Sequence, residues 1–345
     1  MESITIKDIA RICGVGVSTV SRAINNHPDI NPETKMMIMS TIKEHHYIPN
    51  NSARNLKRID AKVIAVLIKG ITNPFFTNVM RGLEREIKKK KYSMVLHQVD
   101  DSENEVSVAL ELIKEKRLRG IVFLGGYFSH TEEELSQLHV PFVLSTIDVI
   151  GKVKKEIYSS VTVDDFAESY KMVSYLCELG HKDIAIITTG ENDKSIGKLR
   201  LDGYKKALSD HDISFNKQLL IPMDDTEPQY SLGCGYHVMQ RFLQKGIPCS
   251  AVFAISDELA IGASRAIMES GRKIPEDISI AGFDGIDMAK YYNPSITTIQ
   301  QPIDEIAHES IEILFHAIKD KEAHQHITFE GKLIVGESTS CPKIK

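Results

Sequence analysis

The sequence has no hydrophobic run long enough to cross a membrane, since no stretch of about 18 apolar residues occurs in its length. Its N-terminus carries Glu2, Lys7 and Asp8, where a secretory signal peptide needs an apolar core. We therefore expect a protein that is neither exported nor inserted in a membrane and that works in the cytoplasm. Its 5 cysteines are scattered and never spaced as C-x-x-C, which argues against a disulfide framework or a zinc site.

Motifs of catalysis are also missing. The G-x-G at Gly14 and Gly16 follows a predicted helix and leads to Thr19, where a dinucleotide-binding fingerprint needs glycine. No nucleophile elbow, zincin or Walker motif is present, and the 13 histidines form no ligand cluster. We therefore do not expect an enzyme, a cofactor or a bound metal.

Charge is unevenly distributed along the chain. The net charge is −5, but residues 1–60 hold 8 Lys and Arg against 6 Asp and Glu, whereas the remainder holds 34 against 41. The N-terminal segment is therefore net positive and the rest net negative. This asymmetry directs the N-terminal segment toward an anionic partner such as nucleic acid.

The first 48 residues have the pattern of three short helices. Thr5 is a candidate N-cap before apolar residues spaced as on one helix face, and a turn at 14–16 separates this helix from a second one. Asn31 and Pro32 form a cap and first-turn signal for a third helix that ends near Tyr47. Two helices joined by a glycine-containing turn and braced by a third predict a helix-turn-helix.

From Lys62 onward, apolar strands alternate with amphipathic helices, which predicts parallel sheets covered on both faces. The pattern covers roughly 280 residues, more than one sheet usually holds, and so predicts two doubly wound lobes. We expect the first lobe at about 61–160 with a crossing near 292–320, and the second at about 161–291 plus about 321–345. The predicted strands are Val63–Ile68, Ser93–Gln98, Gly120–Leu124, Phe142–Ser145, Ile184–Thr188, Ala251–Ile255 and Ile278–Gly282.

Residues 49–60 join these two patterns and form a predicted hinge. Within them, Asn50–Arg58 has three cations, no acid and only two apolar side chains, Ala53 and Leu56. A helix this short does not persist alone in water, so we expect it to fold only when something packs against it.

The run IKDIARICGVGVSTVSRAINNHPDINPETK resembles the DNA-binding headpiece of the LacI/GalR family, and YIPNNSARNL resembles the hinge helix of that family. The resemblance continues through RLDGYKKAL, SDELAIGASRAI, DISIAGFDG and SITTIQQP. It implies an all-α helix-turn-helix headpiece at 1–48 and, at 61–345, an α/β periplasmic-binding-protein-like core of two doubly wound parallel-sheet lobes. The chain departs from the family at Gly16, where serine is usual, so backbone N–H groups would have to cap the recognition helix and meet a phosphate.

The second helix is the predicted recognition helix. A helix in the major groove needs short side chains at its N-terminal end to reach base edges, which favours Val17 and Ser18 as base readers. Arg22 could donate two hydrogen bonds to a guanine. The alternative is an ordinary solvated helix face. In the hinge, we expect Leu56 to enter the minor groove as an apolar wedge, the alternative being a residue packed on the core. The predicted DNA-binding set is Thr5, Val17, Ser18, Thr19, Ser21, Arg22, Asn25, Tyr47, Asn50, Ala53, Arg54 and Leu56.

Polar and aromatic side chains follow the predicted strands, where ligands of doubly wound sheets bind. Resemblance to the family and to periplasmic sugar-binding proteins adds Arg200 and Gln301. Carboxylates and a guanidinium suit the hydroxyls of a sugar, and aromatic rings suit its apolar face. Taken singly, Asp257 has a helix cap as its alternative role, Asp284 a turn and Phe75 core packing. The predicted effector set is Asn73, Phe75, Phe76, Asp148, Arg200, Ser256, Asp257, Phe283, Asp284 and Gln301.

Together these features predict a sequence-specific DNA-binding transcription regulator. We expect a repressor that binds a pseudo-palindromic operator as a homodimer and is controlled by a small-molecule effector, with a sugar favoured. Lobe closure on the effector would then form or melt the hinge helices. Two alternatives stay open: a purine or nucleoside effector, and a solute-binding protein, which would have no use for residues 1–58.

Overall fold

The structure is a computed structural model that describes residues 4–24, 27–45, 47, 62–100, 103–126, 128–147, 149, 153–190, 195–224, 226–319 and 323–343. The chain divides into two units, Met1–Ala61 and Lys62–Lys345, which we call the headpiece and the core. The predicted hinge at 49–60 lies outside the described residues, so its helical state stays a prediction.

Three helices make up the described part of the headpiece, and local hydrogen bonds set their ends. The Thr5 hydroxyl accepts from the backbone N–H of Asp8, whose carboxylate accepts from the backbone N–H of Thr5. Gly14, with a φ of +64°, turns the chain between the first two helices. Asn31 accepts from the backbone N–H of Glu33, so both predicted caps are confirmed. The helices are α1 (Ile6–Ile12), α2 (Val17–Ile24) and α3 (Pro32–Glu44).

One small apolar core holds these three helices together. Ile9 from α1, Val20 from α2 and Ile38 from α3 are fully buried, and Ala10 and Ala23 fill the space between them. Burial of each large side chain contributes roughly 1.5–3 kcal/mol. Because this core takes only one face of α2, the opposite face is left at the surface.

The larger sheet of the core, the first sheet, has six strands in the order β2–β1–β3–β4–β5–β11, and each of their pairings is parallel. Its strand Val63–Ile68, VIAVLI, is wholly apolar because helices cover both faces of the sheet. The strands are β1 (Val63–Ile68), β2 (Ser93–Gln98), β3 (Gly120–Leu124), β4 (Phe142–Ser145), β5 (Ser159–Val163) and β11 (His326–Phe329). The helices on this sheet are α4 (Pro74–Lys89), α5 (Glu105–Lys116), α6 (Glu132–Ser136) and α12 (Ile303–Lys319).

The second sheet has four parallel strands in the order β7–β6–β8–β9. Its strands are β6 (Ile184–Thr188), β7 (Leu220–Pro222), β8 (Ala251–Ala254) and β9 (Ser279–Ala281). Its helices are α7 (Asp165–Glu178), α8 (Ile196–Asp210), α9 (Leu232–Gln244) and α10 (Asp257–Glu269), and the short α11 (Asp287–Tyr291) follows β9. No helix within the described ranges is both long and apolar enough to span a membrane.

Within the described part of the core, three segments of the chain pass between the two sheets. The first lies between β5 and β6, the second runs from β9 through β10 (Thr298–Gln300) to α12, and the third returns from β11 through β12 (Lys332–Ile334). Strands β10 and β12 pair antiparallel, so two of the three crossings form one ribbon. The last described residues pack on the second sheet, where the backbone C=O of Ser338 accepts from the N–H of Ile280.

The predicted division into lobes is wrong in two places. Residues 326–329 were expected in the second lobe, but β11 pairs with β5 in the first sheet. The reason is that α12 packs on α4 and β4, which returns the chain to the edge of the first sheet. The boundary near 160 also falls inside β5, whose half-polar sequence SSVTV hides a strand that belongs to the first sheet.

Candidate functional site

The exposed face of α2 carries short side chains at its N-terminal end. Val17 is 41% exposed although it is apolar, Ser18 and Arg22 are exposed, and Thr19 and Ser21 are half-buried. Such a face can enter a major groove and approach base edges without first breaking a packed contact.

Gly16 stands immediately before α2, where the family usually has serine. A Cβ placed on Gly16 would meet the Ser18 hydroxyl at 3.5 Å and Thr19 at 3.8 Å, which are ordinary contacts. The fold therefore has room for a side chain here. The absence of the hydroxyl removes a possible phosphate ligand rather than relieving a steric conflict.

The other predicted DNA-binding residues of the headpiece have structural contacts of their own. Thr5 forms the capping box of α1 with Asp8. Tyr47 packs against the headpiece core. Both stay predicted DNA contacts, as do five residues that lie outside the described ranges: Asn25, Asn50, Ala53, Arg54 and Leu56.

A cavity of about 720 Å³ lies between the two sheets, at the carboxyl ends of their strands. This is the place where ligands of doubly wound sheets bind, because loops from both sides converge there. The first sheet contributes Lys69, Gly70, Ile71, Thr72, Asn73, Phe75, Phe76, Gln98, Val99, Asp100, Gly126, Thr146 and Val163. The segments of the second sheet and the crossings contribute Asp165, Ser195, Ile196, Arg200, Thr226, Glu227, Pro228, Gln229, Tyr230, Asp284 and Gln301.

A hydrogen-bonded group links the two sides of this cavity. Asn73 caps α4 with its side-chain oxygen, which accepts from the backbone N–H of Phe75 at 2.9 Å. Its amide nitrogen donates to Asp284 Oδ2 at 3.0 Å, and Gln301 Nε2 donates to Asp284 Oδ1 at 2.9 Å. Asp284 adopts a φ of +117°, an uncommon backbone conformation of the kind that is concentrated at functional sites. The carboxylate of Asp284 is thus held by donors from both sides of the cleft.

Arg200 is the buried cation of the cavity. Its Nε donates to Asp165 Oδ1 at 2.8 Å, and its Nη1 lies 3.8 Å from Asp284 Oδ1. Nη1 also donates to the backbone C=O of Ile255. The guanidinium stacks on Phe283, with 3.6 Å from Cζ to the ring centroid. These contacts fix one orientation of the guanidinium, which a ligand would find already ordered.

Burial raises the pKa of the Asp284 carboxyl to about 6, against the opposing effect of the Arg200 charge. At neutral pH Asp284 is therefore mostly ionised, and it offers acceptor positions beside the donors of Arg200 and Gln301.

Phe75 and Phe76 form an apolar part of the cavity wall. Their rings meet edge to face, with 5.2 Å between centroids. A mixed set of fixed donors, fixed acceptors and aromatic surface suits an uncharged ligand rich in hydroxyl groups.

Three predicted effector residues do not line the cavity. Ser256 is the N-cap of α10 and accepts from the backbone N–H of Leu259. Phe283 is fully buried beneath Arg200. Asp257 Oδ2 accepts from the backbone N–H groups of Gly285 and Ile286, at 2.7 and 2.9 Å. The structure places all three behind the wall, where they shape the loop that presents Asp284.

A fourth predicted effector residue, Asp148, lies outside the described residues. Its contact with an effector therefore stays a prediction.

Asp165 is a cavity residue that the sequence reasoning missed. It begins α7 directly after β5, and β5 was not predicted because only alternate positions of SSVTV are apolar. Recognition of Val161 and Val163 as the buried face of a strand would have placed Asp165 at a strand end. The segment 226–230 was also missed, since it follows β7, a strand of three residues.

A helix-turn-helix unit on the same chain as a two-sheet core with a polar cleft defines a DNA-binding protein with a ligand-binding domain. Residues 5–50 match the family described as bacterial regulatory proteins, lacI family, and residues 173–339 match a periplasmic binding protein-like domain.

Similar proteins cover almost the whole chain. It is 43% identical over 339 residues to the HTH-type transcriptional regulator MalR of Clostridium butyricum, covering 97% of this chain and 98% of that protein. It is 31% identical over 340 residues to the ribose operon repressor of Haemophilus influenzae, covering 97% and 98%. A crystal structure of a LacI family regulator from Enterococcus faecium with bound ribose is 31% identical, with a TM-score of 0.70, and covers 82% of this chain and 100% of that one.

The chain belongs to the LacI family of bacterial regulatory proteins. It is a sequence-specific DNA-binding transcription regulator, and the predicted family, fold class and general function are confirmed.

Proposed function

We propose that this protein is a repressor whose affinity for its operator is controlled by a sugar bound in the cavity of the core. The observation that carries the proposal is the buried group formed by Asn73, Asp284 and Gln301 beside Arg200. A sugar hydroxyl both donates and accepts, so neighbouring hydroxyls match a carboxylate next to a guanidinium and amides. The names of two relatives support a sugar, one as a ribose operon repressor and one as a structure with bound ribose.

Control of DNA binding follows from the position of the cavity. A ligand that contacts Asn73 on one side and Arg200 on the other favours the angle between the sheets at which both contacts are made. In a homodimer, that angle sets the spacing of the two segments 49–60, which lead to the headpieces. The free energy of effector binding is thereby coupled to the free energy of operator binding, and the coupling is reciprocal.

On the DNA side, we assign base reading to Val17, Ser18 and Arg22 and phosphate contacts to Thr19 and Ser21. Two headpieces in a homodimer would read a pseudo-palindromic operator, because a two-fold protein matches a two-fold site. The protein would act in the cytoplasm, where bacterial DNA lies.

Calorimetry on the full-length protein tests the effector. The ligands are neutral monosaccharides and disaccharides, sugar phosphates, and purine bases and nucleosides. We expect a neutral sugar to bind and to change the affinity for an operator selected from a random-sequence duplex library. Binding of a purine or nucleoside in place of every sugar would establish the alternative effector class. An operator affinity that no bound ligand alters would contradict control through the cavity.

A further inference from the structure

Exposed cations gather where the strands of the first sheet begin. Parallel strands begin at one edge of a sheet, so the loops before them and the last turns of the covering helices come together there. Lys88 lies in the last turn of α4, and Lys114 and Lys116 lie in that of α5. The exposed residues Lys62, Lys88, Lys91, Lys114, Lys116 and Arg117 form what we call the basic edge.

Few of these charges are neutralised by neighbours. Lys89 and Lys90, in the same stretch of chain, pair with Glu86 and Glu312. Lys88, Lys114 and Lys116, by contrast, form no ion pair with any of the described residues. The exposed acids Glu115 and Glu156 lie in the same group of loops and last turns and lower its net charge without cancelling it.

The helix dipole alone does not account for the basic edge. Cations are favoured at helix C-termini, and this would act equally on both sheets. Yet α7, α8 and α10, which cover the second sheet, have no basic residue in their last turns, and Arg241 in the last turn of α9 pairs with Asp224. The loops before the strands of the second sheet mix cations with exposed acids such as Asp183, Asp212 and Asp277. The positive charge therefore belongs to one lobe, although both lobes have the same architecture.

Chain connectivity indicates the partner. Lys62 directly precedes β1, so the chain that comes from the DNA-binding headpiece enters the core at the basic edge. A long polyphosphate held by the headpiece is thus tethered through a short segment to the edge of the first sheet that carries Lys88, Lys114 and Lys116. From this we infer that the basic edge is a second DNA-binding surface, which contacts the phosphates of duplex flanking the operator without reading bases.

Two triple variants of the full-length protein test this inference. The first is Lys88→Gln, Lys114→Gln, Lys116→Gln on the basic edge. The matched control is Lys182→Gln, Lys245→Gln, Lys273→Gln, three exposed lysines at the corresponding edge of the second sheet. Both remove the same charge. The probes are an operator selected from random-sequence DNA, placed in duplexes of about 20 and about 60 base pairs, since two half-sites one helical turn apart fit the shorter one.

On the longer duplex, the basic-edge variant should bind roughly threefold or more weakly than the parent. The logarithm of its binding constant should also depend less steeply on the logarithm of the salt concentration, by about 0.9 in slope for each lost phosphate contact. On the shorter duplex, the parent and both variants should bind alike. Equal binding of the parent and the basic-edge variant to the longer duplex would overturn the inference. That result is expected if the basic edge binds an acidic protein instead of DNA. The inference would also be overturned by an equal loss in the control variant, which would indicate net charge alone, or by an equal loss on both duplexes.

Discussion

The headpiece and the cleft of the core expose their polar side chains to very different degrees. In the headpiece, Ser18 and Arg22 are exposed and make few contacts with the fold. In the cleft, Arg200 and Asp284 are each 2% exposed and are bound to other side chains before a ligand arrives. Substitutions on the exposed face of α2 should therefore cost the headpiece little stability. In the cleft, recognition and folding depend on the same contacts.

Removal of the Arg200 side chain should produce the largest effect and the sharpest contrast between the two regions. Arg200→Ala leaves the buried carboxylates of Asp165 and Asp284 without their cation, which should lower the free energy of unfolding by about 3–5 kcal/mol. Effector binding should weaken by about 2 kcal/mol or more. Urea unfolding and calorimetry measure the two quantities.

The matched control for this change is Arg265→Ala, which breaks an exposed ion pair with Glu269 and should cost about 0–1 kcal/mol. If both variants lose the same stability, the cleft is not the constrained region described above. If Arg200→Ala still responds to the same effector concentration, Arg200 is not part of the site.

The pH dependence of stability should expose the buried carboxyl of Asp257. Burial, with the nearby charge of Asp284, raises its pKa from 3.8 to about 8. A carboxyl whose pKa is raised in the folded state contributes its full stabilisation below the pKa of the unfolded chain, and this contribution is lost as pH rises toward 8. The free energy of unfolding should therefore decline by at most about 1.4 kcal/mol per pH unit. Asp257→Asn should flatten this decline, and part of the slope should remain because burial also raises the pKa of Glu258 to about 7 and that of Asp284 to about 6.

Comparison of the parent with Asp257→Asn isolates this carboxyl, because the two chains share every other titratable group. If the two profiles of unfolding free energy against pH have the same slope between pH 4 and pH 8, Asp257 does not bind a proton in the folded state.

Substitution on the exposed face of α2 should alter specificity with little effect on folding. Exchange of Val17 and Ser18 for other short side chains should change the preference between operator sequences by about 1–3 kcal/mol for a base that they read. Headpiece stability should stay close to that of the parent. Ser40→Ala, at an exposed position of α3, serves as the control and should preserve the preference. Uniform weakening on every sequence would mean that α2 is positioned by these residues but does not read bases through them.

The cap of α1 should give the smallest effect. Thr5→Ala removes the hydroxyl that accepts from Asp8 and should destabilise the headpiece by about 1 kcal/mol, while unfolding of the core stays unchanged. Thr5→Ser keeps the hydroxyl and should restore stability. If operator affinity still falls in the serine variant, Thr5 contacts DNA in addition to capping the helix.

Most strands of the fold could be predicted to within one residue, because their apolar runs are continuous. Val63–Ile68 is buried on both faces, so its sequence has no polar interruption. The strands β5 and β11 are not predicted because polar residues interrupt their apolar ones, in SSVTV and in HITF. Their placement depends on packing between distant parts of the chain, which no local pattern contains.

The candidate site could be predicted in part for a related reason. Position after a strand correctly placed Asn73 and Asp284 in the cavity lining, since strand ends converge there. The same rule placed Ser256 and Asp257 there, although both turn to backbone N–H groups behind the wall. A residue that caps a helix and a residue that binds a ligand can both occupy the position directly after a strand. Only the direction of the side chain in the folded protein distinguishes the two roles.

The ribbon of β10 and β12 restricts how the two lobes can move. Two of the three crossings between the sheets are hydrogen-bonded to each other, from Thr298 with Ile334 to Gln300 with Lys332. Independent motion of either crossing would break that pairing, so bending of the ribbon as a unit is the motion that preserves it. The pairing therefore couples these two crossings, so that a hinge motion that bends one also bends the other. A ligand that closed the cavity would therefore act on both crossings together rather than on each independently.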